Sequence, residues 1–110
     1  MKAKRLVDLM DEGLVLDPDD DFEQVDYDLL KEMIRDEWSG ELDVDGERVK
    51  FENVDSIRDY DQYWVVVKVG EDLIGMCGYY DSWNGTEWSD ADLVDVESYE
   101  TVERHWREKQ

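Results

Sequence analysis

Apolar positions in the first forty residues recur at helical spacing, and beyond residue 40 they alternate. Leu6, Val7, Leu9 and Met10 fall on one face over residues 3–12, which predicts a helix with Gly13 as its stop. A second stripe, Tyr27, Leu30, Met33, Ile34 and Trp38, predicts another helix, with Asp26 as its N-cap and Ser39-Gly40 as its end. Between the two, "DPDDDFEQ" holds Pro18 and a run of aspartates and reads as an exposed acidic connector over residues 17–25.

From residue 41 the period is two. "ELDVDGERVKF" is a hairpin pattern about Asp45-Gly46, a favoured two-residue turn. The implied register sets Leu42 opposite Val49, Asp43 opposite Arg48 and Glu41 opposite Lys50. One face is then apolar and the other carries two opposite-charge pairs. "NVDSIRDY", residues 53–60, reads as a loop or short helical turn. "QYWVVVKV" at 62–69 and "LIGMCGYY" at 73–80 predict paired strands through Gly70-Glu71-Asp72, with Trp64 over Gly78, Val65 opposite Cys77 and Tyr63 opposite Tyr79. Apolar residues on both faces place this pair centrally. Asn84-Gly85 predicts a further turn with Trp83 facing Thr86 and Asp81 facing Trp88. "LVDVESY" and "TVERHW" supply one or two last strands. The expected fold is one α+β domain spanning 1–110: a helical part over 1–40, then an antiparallel sheet or small open barrel of four to six strands over 41–107, with the helices on one side.

Charge changes the functional picture most. The chain has 32 acids against 12 bases, a formal net charge of −20. Lys2, Lys4, Arg5, Arg104, Arg107 and Lys109, with Glu108, leave +5 at the two ends, so residues 6–103 carry −25 of that −20 total. Such a field repels nucleic acid and anionic membrane and draws in basic surfaces, so direct nucleic-acid binding is rejected first. Apolar residues make up 41% of the chain, enough to support a core and to set it apart from a disordered acidic tail. One cysteine precludes an internal disulfide and fits a reducing compartment. No apolar run reaches the roughly 20 residues that span a bilayer, and the basic start lacks a signal-peptide core. The expectation is a soluble cytoplasmic protein.

The candidate chemistries are weak. Asp17, Asp19, Asp21 and Asp28 fall at calcium-loop positions, but Phe22 stands where such a loop needs glycine and Asp28 replaces the bidentate glutamate. One Cys and one His do not make a structural zinc site. Cys77 lies within a strand, where a thiol is usually inert, and His105 sits in the basic tail. Carboxylates are so numerous that no pair stands out as acid and base. No phosphate loop or hydrolase motif occurs. The reading is a non-enzyme without cofactor or metal.

Two surfaces remain. Asp28, Glu32 and Asp36 follow at i, i+4 and i+8 on the second helix, with Glu37 alongside, a ladder rising about 6 Å per step. Lys31 and Arg35 offset part of it. In "GYYDSWNGTEW", Tyr79, Tyr80, Trp83 and Trp88 crowd one turn beside Asp81, Glu87, Asp90 and Asp92. One hairpin does not bury four rings, so at least one of Trp83 and Trp88 is expected at the surface. Aromatics ringed by acids suit a protein hot spot with an acidic rim meeting a basic partner. On this reading, reversing Asp28, Glu32 and Asp36 weakens binding more than reversing Asp17, Asp19 and Asp20, because a rigid ladder needs no ordering and a flexible connector does.

The stretch from about 63 to 99, with "VVVKVG", "GYYDSWNGTEW" and "LVDVESYE", resembles a segment of small acidic proteins encoded by bacteriophages. The shared features are a strand ending in two tyrosines, a Ser-aromatic-(Asn/Asp)-Gly turn and a Val-rich strand beyond. The likeness covers about a third of the chain and includes no catalytic motif. It implies a protein that blocks a host defence or DNA-processing enzyme, such as a restriction or CRISPR nuclease, by imitating the charge surface of DNA. The alternative is a non-catalytic interaction module of unrelated role, its acidity reflecting solubility or adaptation to high salt.

Overall fold

The computed structural model describes all residues except 60, 82, 84, 89, 90, 101–103 and 110, and omits the side chains of 59, 81, 98–100, 104 and 105. Helix α1 spans Ala3–Asp11 and buries Ala3, Leu6, Leu9 and Met10. Gly13, at φ 74°, closes it, with the Leu14 N–H on the Leu9 carbonyl at 2.9 Å. Helix α2 spans Tyr27–Arg35. Its cap is as the sequence suggests: Asp26 Oδ1 accepts the Leu29 N–H at 2.8 Å. Leu30 and Ile34 are buried, with Tyr27, Met33 and Trp38 at the margin of the same core. The end differs from expectation. Glu37, at φ 62°, takes the left-handed position, and the Trp38 N–H returns to the Met33 carbonyl at 3.1 Å. The helix therefore stops before Ser39-Gly40, and Gly40 opens a strand.

Among the described residues nine strands form the sheet: β1 Val15–Asp17, β2 Glu23–Gln24, β3 Gly40–Val44, β4 Glu47–Asp59, β5 Gln62–Val69, β6 Asp72–Asp81, β7 Gly85–Glu87, β8 Val94–Glu100 and β9 Arg104–Glu108. Their order is β2-β1-β3-β4-β5-β6-β8-β9, with β7 also paired to β6. Every pairing is antiparallel. The α+β class stands, but the strand count of four to six is too low.

The excess over that count comes mainly from segments read as irregular. The acidic connector folds into β1, a 3₁₀ turn at Pro18–Asp20, and β2. Asp17 Oδ1 accepts the Asp19 N–H at 2.9 Å, and the Phe22 N–H reaches the Asp17 carbonyl at 2.8 Å. β1 then pairs with β3, so this segment is an ordered sheet edge and not a free linker. Residues 53–59 continue β4 through a bulge: Asn53 pairs with Val67, whereas Asp55 pairs with Val66. The extra residue, Val54, reverses which face the later side chains occupy, and the broken alternation disguised the strand. β7 is short and sits within the aromatic turn.

The β3–β4 register is as the alternation implies, with Leu42 on Val49, Asp43 on Arg48 and Glu41 on Lys50. The β5–β6 register is one residue off: Tyr63 pairs with Gly78, Trp64 with Cys77 and Val65 with Met76. The turn is Gly70-Glu71, not three residues, with Gly70 at φ 62° supplying the positive φ of a two-residue hairpin loop. In the aromatic hairpin Tyr80 pairs with Thr86 and Asp81 with Gly85, so the expected Trp83–Thr86 and Asp81–Trp88 pairings are also displaced. Asn84 lies outside the described residues.

Both faces of β5 are covered. Val65, Val67 and Val69 face the core shared with α1 and α2, while Trp64 and Val66 meet Val96 and Trp106 on the other side. The β8–β9 hairpin supplies that second cover, which accounts for the unbroken apolar run in β5. Among the described residues no charged or polar residue is buried, and no helix is long and apolar enough to cross a membrane.

Candidate functional site

A groove of about 440 Å³ runs between α2 and the sheet, lined by Asp28, Lys31, Glu32, Arg35, Met76 and Trp88. It joins the two surfaces that the sequence singled out separately. Trp88 reaches it because Gly78 has no side chain: a Cβ there would lie 2.8 Å from the Trp88 ring. The expected ring over Gly78 was Trp64, and the corrected register places Trp88 there instead. Tyr63 meets Trp88 edge-on, with centroids 5.6 Å apart and planes at 73°.

Along α2 the charges are not equivalent. Arg35 stands between Glu32 and Asp36, with N···O distances of 3.9 and 4.0 Å. Lys31 lies over the Tyr27 ring at 5.3 Å. Asp28 has no ion pair among the described residues. Glu37, beyond the helix end, leaves the row. The ladder is thus partly neutralised by Arg35, and its acid without an ion pair among the described residues, Asp28, lies at the N-terminal end.

That end is tied to a second acid. Tyr27 Oη accepts the Leu93 N–H at 2.9 Å and donates to Asp92 Oδ1 at 3.0 Å. Burial raises the Tyr27 phenol above its ordinary value, and the Asp92 hydrogen bond and the charges of Asp92 and Asp28 add to this, while the Leu93 bond opposes it. Asp28 and Trp88 therefore line one groove, and Asp92 lies outside it, held on the Tyr27 hydroxyl.

The remaining site residues that are described lie apart. Trp83 is 91% exposed at the tip between β6 and β7. Tyr79 and Glu87 pair directly and share the sheet face opposite Gly78 and Trp88. The Asp81 side chain and all of Asp90 lie outside the described residues. The four rings divide accordingly: Trp88 and Tyr80 face the helices, Tyr79 faces away, and Trp83 projects. One contact escaped the sequence: the Arg58 guanidinium sits 3.7 Å from the Tyr80 ring centroid. Its only signal was the strand hidden by the bulge.

Cys77 is half-buried and its thiol is pushed up by burial, which keeps it protonated at neutral pH. The His105 side chain falls outside the described residues. Among the described residues no group of three His, Cys, Asp or Glu is arranged to hold a metal ion; Asp17, first in the calcium-loop spacing, instead holds the 3₁₀ turn together. Comparison with protein-family models, curated proteins and solved structures finds no match.

Proposed function

We propose that this chain is a phage-type acidic protein that binds a basic, DNA-binding host protein, such as a restriction, CRISPR or other DNA-processing enzyme, and inhibits it by standing in for DNA. The observation that carries the reading is charge density. The molecule measures 41 × 30 × 22 Å and bears −20. A duplex as long as its 41 Å axis carries about 24 phosphates, at one charge per ~1.7 Å. The two are of the same order, and the described acids all lie at or near the surface.

The cations do little to disturb this field. Lys4 pairs with Asp8, Arg5 with Asp45, Arg48 with Glu41, Lys50 with Glu52 and Arg107 with Glu97. Each is held near an acid of its own chain, so none is presented as a separate positive patch. Residues 6–30 contain no Lys or Arg at all. A cleft lined with Lys and Arg to receive DNA would meet an ordered negative surface that needs no bending to fit. The site of action under this reading is the host cytoplasm.

The test is competition. A purified basic nuclease loaded with labelled DNA should release it as this protein is added, with affinity falling steeply as salt rises. A complex in which the enzyme holds DNA and this protein together, each at full affinity, overturns the reading.

A further inference from the structure

The groove beside α2 contains one carboxylate, Asp28, that makes no ion pair among the described residues, next to an aromatic ring. We infer that it receives an arginine side chain of the basic partner, an inference that rests on the function proposed above. The groove volume of about 440 Å³ lies within the range of small-molecule sites, about 300–1,000 Å³. Trp88 and Met76 form its apolar wall, and Asp28 and Glu32 stand on its α2 side. Glu32 already shares Arg35 with Asp36, so the free negative charge is at Asp28, with Asp92 close by across Tyr27. The α2 N-terminus contributes about half a positive charge, which Asp26, Asp28 and Asp92 together outweigh.

This arrangement selects arginine over lysine. A guanidinium is flat and weakly hydrated, so it stacks on an indole face while offering two parallel N–H donors to one carboxylate. An ammonium has neither the flat face nor the fork. Lys31 and Arg35 also line the groove, but neither pairs with Asp28: Lys31 lies over the Tyr27 ring, and Arg35 bridges two acids nearer the helix C-terminus.

The experiment is an NMR titration at low salt with a six-residue arginine peptide, and a six-residue lysine peptide as the equal-charge control. The five tryptophan indole signals report where the peptide sits. The arginine peptide should shift the Trp88 indole, and the lysine peptide should leave it in place. Asp28→Asn should weaken the arginine peptide on the order of tenfold. Asp92→Asn, a second variant whose carboxylate does not line the groove, should weaken it less. Arginine and lysine peptides that bind alike, a silent Trp88, or an Asp28→Asn protein that binds like the parent overturns the inference. If the groove is silent while the protein still displaces DNA from a basic nuclease, only the groove assignment falls. If the Trp88 shift appears but DNA is not displaced, the groove takes arginine and the DNA-mimic reading falls.

Discussion

Trp106 Nε1 donates a 2.7 Å hydrogen bond to Asp55 Oδ2, tying the last strand to the bulge in the longest one. The bond exists because Val54 is inserted in β4. Were the Asn53–Val67 register to run on unbroken through Val54, Asp55 would pair with Val65 and face the helices; with Val54 bulged out, Asp55 pairs with Val66 and faces the second core. Trp106 is 6% exposed, so its indole N–H depends on a protein acceptor.

Asp55→Ala should therefore cost about 1.5–3 kcal/mol, the range for a hydrogen bond to a charged group. Asp55→Asn retains an acceptor and should cost less. Urea unfolding followed by tryptophan fluorescence measures both. Equal stabilities for Asp55→Ala and the parent would show that the β8–β9 cover does not depend on this bond.

Glu37 occupies a position suited to glycine. At φ 62° its side chain is strained in the left-handed region at the end of α2. Glu37→Gly should relieve roughly 1–2 kcal/mol of left-handed strain against roughly 0.4–1 kcal/mol of added unfolded-chain entropy, a net gain on the order of 0.5–1 kcal/mol. Thermal melts of the parent, Glu37→Gly and Glu37→Ala separate the backbone effect from the lost charge, since alanine removes the charge and keeps the strain.

The sequence exposed the local rules and concealed the places where they were interrupted. The capping of α2 by Asp26 and the whole β3–β4 register were legible, because cap chemistry and an Asp-Gly turn act over a few residues. The β4 bulge was not, since a single inserted residue removes the period-two signal without leaving another. The β5–β6 slip has a similar origin: Gly70-Glu71-Asp72 accommodates a two- or three-residue turn, and the side-chain pattern alone does not choose. The site was half legible. Acid spacing on α2 and the crowded aromatics were visible, but their union in one groove depends on Trp88 lying over Gly78, a contact set by tertiary packing.

Asp72 gives a pH dependence of definite sign. Its carboxyl is held below the usual value, first by hydrogen bonds to the N-terminal ammonium and then by Lys2, with burial opposing. A carboxyl depressed in the folded state contributes stability above its unfolded pKa and loses it as pH falls through the folded value. The stability difference between the parent and Asp72→Asn should be constant near neutrality and shrink below the ordinary carboxylate range. A difference that instead grows on acidification would reverse the assignment.

Trp83 and Trp88 should separate in their effects. Trp83 is 91% exposed, so Trp83→Ala should leave the melting temperature nearly unchanged. Under the proposed function it should weaken partner binding by about 2 kcal/mol if it acts as a hot spot. Trp88 packs on Gly78 and Tyr63, so Trp88→Ala should lower stability before its binding is interpretable. Calorimetry on each variant, paired with binding to the same nuclease, tests the division; full affinity in Trp83→Ala removes that ring from the interface.

The two acidic surfaces should differ in what they control. The sequence favoured the α2 ladder over the connector on the premise that the connector is flexible, and the structure removes that premise: residues 15–24 are hydrogen-bonded at the sheet edge. Asp19, Asp20, Asp21 and Glu23 stand there without a cation in residues 6–30, whereas Glu32 and Asp36 share Arg35. Uncompensated charge acts at long range, so it governs encounter more than residence. Asp19→Asn, Asp20→Asn and Asp21→Asn combined should slow association with a basic nuclease, on the order of tenfold at low salt, and flatten its salt dependence. Dissociation should change little. Glu32→Gln with Asp36→Asn should slow association less, because it removes two charges from the long-range field where the hairpin triple removes three. Stopped-flow association at several salt concentrations decides between them. If the α2 pair slows encounter more than the hairpin triple, the face the partner approaches, and not the amount of charge removed, sets the rate.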